Sequence, residues 1–194
     1  MKKTANIAVF ASGNGSNAEN LALHFGSHPL GKISLLVTNR ESAGVIPKMK
    51  KLGIPTFVFS NSEIQQGHAL NDFLLKNNID IILLAGFLRK VPKVILASFS
   101  DRILNIHPSL LPKHGGQGMY GLRVHEAVIR DGDKESGATV HLVNEEYDKG
   151  RIILSECCPV LIGDSAETLA SRIHSIEYRI FPKAVEAFIA QLKS

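Results

Sequence analysis

Asn105 and His107 stand two residues apart in the string Asn105-Ile106-His107-Pro108-Ser109-Leu110-Leu111-Pro112, and Asp148-Lys149-Gly150 follows further along the chain. An amide donor and an imidazole at the mouth of a strand suit chemistry in which a carbonyl oxygen becomes an oxyanion. A carboxylate beside that imidazole would raise its pKa and fix its tautomer. Each piece also has a plainer reading. A histidine before proline at a strand end is commonly structural, and an Asp-x-Gly between strands is commonly a turn. Position favours the chemical reading: in an open α/β sheet the ligand crevice lies outside the carboxyl ends of the strands, where residues 103–106 deliver Asn105 and His107.

A second group suits an anion. Gly13, Asn14, Gly15, Ser16 and Asn17 follow an apolar strand and open a helix. The glycines allow a tight turn that presents N–H groups, and a helix N-terminus favours negative charge. With Ala18 the string also matches the G-x-G-x-x-A form of a dinucleotide fingerprint. That reading expects an acid after the second strand to hold a ribose hydroxyl. Asn39-Arg40-Glu41 stands there instead, at best an arrangement for a 2′-phosphate. Ser16 and Asn17 can themselves donate to a phosphate, which favours a single phosphomonoester over a dinucleotide or a purely structural turn.

The elements that must position these residues follow from hydrophobic patterning. Residues 6–11 form a continuous apolar strand, residues 12–17 the turn, and a helix runs to about Phe25. Strands at 33–38, 56–59, 79–85 and 102–106 alternate with helices at 42–52, at 62–77 and from about Pro92, with Pro47 early in its helix or kinking it. Such alternation predicts a parallel sheet covered on both faces. From Gly137 the pattern changes to strands at 138–143 and 152–160 joined by a short loop, which predicts antiparallel pairing at the sheet edge. A long helix over 166–192 closes the chain, with Asp164 and Ser165 as cap candidates and Pro182 as a kink. The expected architecture is α/β: a single-domain, Rossmann-like open sheet, mostly parallel with antiparallel edge strands, and helices on both faces. Residues 113–121, with four glycines, read as a mobile flap or, more plainly, as a disordered surface loop.

Composition sets outer bounds. At 194 residues, 44% hydrophobic and 21% charged, the chain is expected to be one globular domain with a substantial core. No apolar run is long enough to span a bilayer. The start, Met1 to Asn6, lacks the pattern of a secretory leader, so a cytoplasmic location is expected. Adjacent Cys157 and Cys158 fit neither a disulfide framework nor a Cys-x-x-Cys motif and read as buried strand residues. The net charge of +4 is mild. Lys48, Lys50 and Lys51 have no aromatic residues among them and read as a solvated helix face, not a nucleic-acid platform. A modest positive balance also suits a small anionic substrate. His114, His125 and His141 make no i, i+4 pair and have no acid or cysteine at ligand spacing, so no metal is expected.

Taken with the strings Ala85-Gly86-Phe87-Leu88-Arg89 and Gly137-Ala138-Thr139-Val140-His141 and with Glu177, these motifs make the chain resemble the folate-dependent phosphoribosylglycinamide formyltransferase family over residues 6–191. The Asn-x-His-Pro-Ser-Leu-Leu-Pro string is specific to formyltransferases broadly, and the Gly-Asn-Gly-Ser-Asn loop narrows the resemblance to the glycinamide ribonucleotide branch. The resemblance implies transfer of a formyl group from 10-formyltetrahydrofolate, a co-substrate, to the amine of glycinamide ribonucleotide in purine biosynthesis. It implies catalytic roles for Asn105, His107 and Asp148, with protonated His107 and Asn105 stabilising a tetrahedral oxyanion. Gly13, Asn14, Gly15, Ser16 and Asn17 would hold the substrate phosphate. Pro108, His174, Ser175, Ile176 and Glu177 would approach the rest of that substrate. Leu88, Arg89, Lys90 and Val91, with Asn105, Asn144, Glu145, Glu146, Tyr147 and Asp148, would hold the folate.

The partners so implied are a phosphorylated ribosyl amine and a folate, with neither nucleic acid nor membrane, and there is room for a weak homodimer. Two departures stand out. Residues 114–124 make a longer loop than the family pattern, and residues 65–69 lack an arginine for the folate tail, so Lys90 or another lysine would take that contact. Hydrolysis of 10-formyltetrahydrofolate and a dinucleotide-binding module are the competing functions.

Overall fold

The structure is a computed structural model and describes residues 4–192. Residues 1–3, part of the stretch weighed above as a leader, and residues 193–194 lie outside it. Seven strands, β1 (Ala5–Phe10), β2 (Gly31–Thr38), β3 (Thr56–Val58), β4 (Ile81–Leu84), β5 (Ile103–His107), β6 (Glu135–Leu142) and β7 (Ile152–Pro159), form a sheet in the order β3-β2-β1-β4-β5-β6-β7. The described chain forms two compact units, residues 4–104 with 185–192, and residues 105–184.

In the first unit β1 pairs in parallel with both β2 and β4, and β2 with β3. Ile7, Ala8, Val9 and Phe10 are all buried, as are Ile81 to Leu84, which is why these strands read as unbroken apolar runs and not as alternation. Helices α1 (Ser16–His24), α2 (Val45–Lys51), α3 (Asn61–Gln66), α4 (His68–Lys76) and α5 (Lys93–Ser98) connect them. The single helix expected over 62–77 is two helices. Ser60 and Glu63 form a reciprocal capping box that starts α3, and Gly67, at φ 77°, ends it in the left-handed conformation that glycine adopts at low cost. Pro47 falls in the first turn of α2, where a missing N–H costs no helical hydrogen bond.

In the second unit, α6 (Leu122–Arg130) precedes β6, and β6 pairs antiparallel with β7, as the short connection predicts. The long helix α7 (Ala166–Leu192) runs through Pro182 and continues into the first unit. At its start Ser165 Oγ accepts from Thr168 N–H and Thr168 Oγ1 accepts from Ser165 N–H, while Asp164 takes Arg172 in a two-pronged ion pair. The two cysteines correct the sequence reading: Cys157 is exposed and Cys158 half-buried, both free. β7 is the last strand of the sheet, so its apolar run marks an edge and not an interior strand.

Candidate active site

Asn105 and His107 lie two apart on β5 and therefore project from the same face of the strand. His107 is buried, Asn105 half-buried. The turn after β5 is pinned by β6: Thr139 Oγ1 donates to Ser109 O (2.7 Å) and accepts from Leu111 N–H (3.2 Å), and Ser109 Oγ donates to Lys113 O (2.6 Å). One step along the same face of β6, His141 reaches Asn105. Its Nδ1–H donates to the Leu142 carbonyl (2.7 Å), and its Nε2 lies 3.1 Å from Asn105 Nδ2.

Asp148 completes the cluster. Its Oδ2 lies 3.6 Å from His107 Nδ1 and its Oδ1 lies 3.5 Å from His141 Nε2. The connection between β6 and β7 comes this close because residue 150 is glycine: a Cβ there would sit 1.7 Å from the Leu142 carbonyl oxygen. Asp148 itself adopts φ 56°. Burial pushes its carboxyl pKa up, but the His141 and His107 rings and the Gly116 N–H, which donates to Oδ2 at 2.8 Å, outweigh that and leave it below the ordinary carboxylate value. Asn105, His107 and Asp148 are thus brought together as the sequence suggests.

The charge on His107 is a correction. Burial is the largest influence on the ring and lowers its pKa; Asp148 and the His114 carbonyl pull the other way without restoring it. Resting His107 is therefore neutral near neutral pH. Its Nε2–H donates to His114 O at 2.9 Å, so the lone pair of Nδ1 faces Asp148.

That hydrogen bond belongs to the segment read as a flap, and it shows the first half of the loop to be anchored. His114 O holds His107, Gly116 N–H holds Asp148, and the His114 ring is itself tied to Asp133 Oδ2 at 2.8 Å. Lys113 Nζ bonds the other Asp133 oxygen at 3.1 Å. His141, His114 and Gly116 contact this cluster and do not belong to the expected set. A signal for His141 is present in β6, whose polar Thr139 and His141 are two apart on a strand buried on both faces; such groups require partners.

In the same unit, Glu177 on α7 is buried and its Oε2 lies 2.8 Å from His174 Nδ1. It also acts electrostatically on His107 and on His125, a buried ring of α6 whose pKa burial lowers. Ser175 Oγ bonds back to Ser171 O and Ile176 packs in the core. Pro108 directly follows His107. In the 144–148 loop, Asn144 Oδ1 accepts from Glu146 N–H, and Tyr147 is exposed.

The first unit holds the other expected residues. Gly15 is the N-cap of α1, with φ 69° and, being glycine, no side chain to cap the helix. Gly13 and Asn14 are exposed, Ser16 half-buried. Ser12 Oγ donates to Asn39 Oδ1 (2.6 Å) and accepts from Leu88 N–H (3.0 Å), joining the turns after β1, β2 and β4. Leu88, Arg89 and Lys90 are exposed beyond it, and Val91 is buried.

β5 thus ends in an amide and an imidazole, and the β6–β7 connection brings a carboxylate to them. Residues 5–185 match the formyl transferase family model. The chain is 37% identical over 194 residues to phosphoribosylglycinamide formyltransferase of Haemophilus influenzae, covering 97% of this chain and 87% of that one. It is 40% identical to the chloroplastic phosphoribosylglycinamide formyltransferase of Arabidopsis thaliana, covering 93% of this chain and 64% of the relative. The chain thus spans somewhat under two thirds of the plant protein's length. Among solved structures, phosphoribosylglycinamide formyltransferase of Anaplasma phagocytophilum superposes with a TM-score of 0.89 at 35% identity, covering 97% of this chain and 88% of that one. The chain belongs to the formyl transferase family, in its phosphoribosylglycinamide formyltransferase branch. Among the described residues, no helix is long and apolar enough to cross a membrane.

Proposed function

We propose that the protein transfers the formyl group of 10-formyltetrahydrofolate to the amine of glycinamide ribonucleotide. The observation that carries this reading is the cluster of Asn105, His107, His141 and Asp148, which offers an amide donor and a titratable ring beside a carboxylate. The relatives' names supply the acceptor and the group transferred, and the resemblance of the sequence supplies the folate donor.

The substrate amine attacks the formyl carbon as the free base, and the carbonyl oxygen becomes an oxyanion. Asn105 Nδ2 has one N–H committed to His141 and a second for that oxyanion. His107 starts neutral, its Nδ1 lone pair turned to Asp148. As the amine nitrogen becomes positive it releases a proton, which a water held by Asp148 passes to His107 Nδ1. The resulting imidazolium, paired with Asp148, stabilises the oxyanion and then returns the proton to the folate nitrogen as the C–N bond breaks. The products are the formylated amine and tetrahydrofolate, and proton and charge balance.

The glycine turn and the N-terminus of α1, residues 13–17, take the substrate phosphate. Glu177, with His174, accepts from ribose hydroxyls. Residues 88–91 and 144–148 hold the folate. Two free thiols suit the reducing cytoplasm, where we place the protein.

The test is turnover of His107→Asn and Asp148→Asn with both substrates. Each is expected to lose about 10²–10⁴-fold in kcat, with folate binding retained. Near-normal turnover in both, or rapid formate release without any acceptor amine, overturns the reading, the latter in favour of a hydrolase.

A further inference from the structure

Two imidazoles and a carboxylate converge where α1 ends. His24 is the last residue of α1, Phe25 caps the helix, and His28 follows in the turn. Glu186 lies on the part of α7 that belongs to the same compact unit. The two histidines are four apart, the spacing used by helical metal sites, although the chain leaves the helix between them. They belong to none of the histidines singled out above.

Their rings are oriented in advance. They stack on each other with centroids 5.4 Å apart and an interplanar angle of 27°. The buried ring of Phe25 meets both edge-on, at 5.0 Å from His24 and 5.2 Å from His28. Nε2 of each ring points at the same carboxylate oxygen: His24 hydrogen-bonds Glu186 Oε1, and His28 Nε2 lies 3.4 Å from it. All three ligand atoms lie within 4.8 Å of one another.

We propose that His24, His28 and Glu186 bind a divalent transition-metal ion of the zinc type, with water completing its shell. Two imidazoles and one carboxylate are the donors that Zn²⁺, Ni²⁺ and Cu²⁺ accept, and they do not suit Mg²⁺ or Ca²⁺. Bond lengths of about 2.0–2.1 Å place tetrahedral ligand atoms roughly 3.3 Å apart. The His28–Glu186 separation already has that value. His24, partly exposed, has room to back off from Glu186 and admit the ion. Metal on both Nε2 atoms requires the proton on Nδ1 of each ring. For His28 this ends only a long contact, from Leu30 N–H to Nδ1 at 3.4 Å.

The alternative is a carboxylate shared by histidines that carry protons, favoured for His24 by its place in the last turn of a helix. The two readings differ in one measurable respect: a metal needs the Nε2 lone pairs, whereas the ion pair needs Nε2 protons. A bound ion would clamp the end of α1 to the last stretch of α7, so its effect should appear as stability.

The experiment is calorimetric titration of the full-length protein with Zn²⁺ alone at pH 7.5, repeated on His24→Asn, His28→Asn and Glu186→Gln. The expected result is one tight equivalent and a melting temperature raised by about 5 °C when zinc exceeds its dissociation constant roughly a hundredfold. Each variant should weaken that equivalent about tenfold or more. Formyl transfer in the variants should stay near that of the unaltered chain. Because the protein has further histidines and two thiols that take zinc, the histidine ¹⁵N shifts of the unaltered protein give a second readout: His24 and His28 Nε2 must move first. Absence of binding at about 100 μM zinc, affinity unchanged in the variants, or first movement at other histidines overturns the proposal.

Discussion

A carboxamide has a donor at one end and an acceptor at the other, and an oxyanion is served only by the donor. Nothing in Asn105 itself decides which end is presented. His141 bears on it: its Nδ1–H is committed to Leu142 O, and whenever its Nε2 carries no proton that nitrogen accepts from the Asn105 amide nitrogen. Asn105→Ala is expected to lower kcat by about 10²–10³-fold, the usual effect of losing one such donor. His141→Leu leaves the amide in place but free to turn, and should cost about tenfold to a hundredfold. The two effects are not independent if orientation is how His141 acts. The double variant should then be no slower than Asn105→Ala alone. Losses that multiply would show that His141 works by another route.

At the scale of elements, β5, β6 and the loops at their ends divide the work. β5 presents Asn105 and His107, β6 fixes them through Thr139 and His141, and the loop before α6 supplies two backbone groups, His114 O and Gly116 N–H. That loop is held from outside by Asp133, between α6 and β6, through the His114 ring. Asp133→Ala should therefore reduce kcat several-fold to about tenfold. Unchanged kcat in that variant would mean that His114 O holds its place without the anchor. None of this loop chemistry was legible in the sequence, because backbone groups carry no residue signature and four glycines resemble slack. What was legible had a strong pattern: β1 and β4 as unbroken apolar runs, the short antiparallel connection, and the bounds of α7. The break at Gly67 hid inside a continuous helical periodicity, and the exposure of Cys157 on β7 hid in a run that is equally apolar on an interior strand and at an edge. Asn105, His107 and Asp148 could be named from their strings, whereas the depth of His107 could not. Depth reverses the expected direction of its pKa.

For the molecule as a whole, that depth couples the site to folding. His107 and His125 are both buried, and burial holds both pKa values below the ordinary histidine value of about 6.5. Their unfolded forms therefore bind protons more readily than their folded forms, and stability rises with pH wherever that difference operates. Their contribution is complete above about pH 6.5 and is lost as pH falls through the lower folded values. Asp148 and Asp164 add a separate loss at more acid pH, because both carboxyls are held below the ordinary carboxylate value of about 3.9, Asp164 by the Arg172 pair first of all. Acid unfolding should consequently proceed in two stages, a decline in melting temperature below about pH 6.5 and a steeper one below about pH 4. His125→Phe, which replaces the buried ring of α6 with one that takes no proton, should flatten the first stage and leave the second in place. The measurement is the melting temperature across pH 4–8 for both proteins. A first stage of equal depth in the variant would assign that loss to His107 or to other groups and remove His125 from the account.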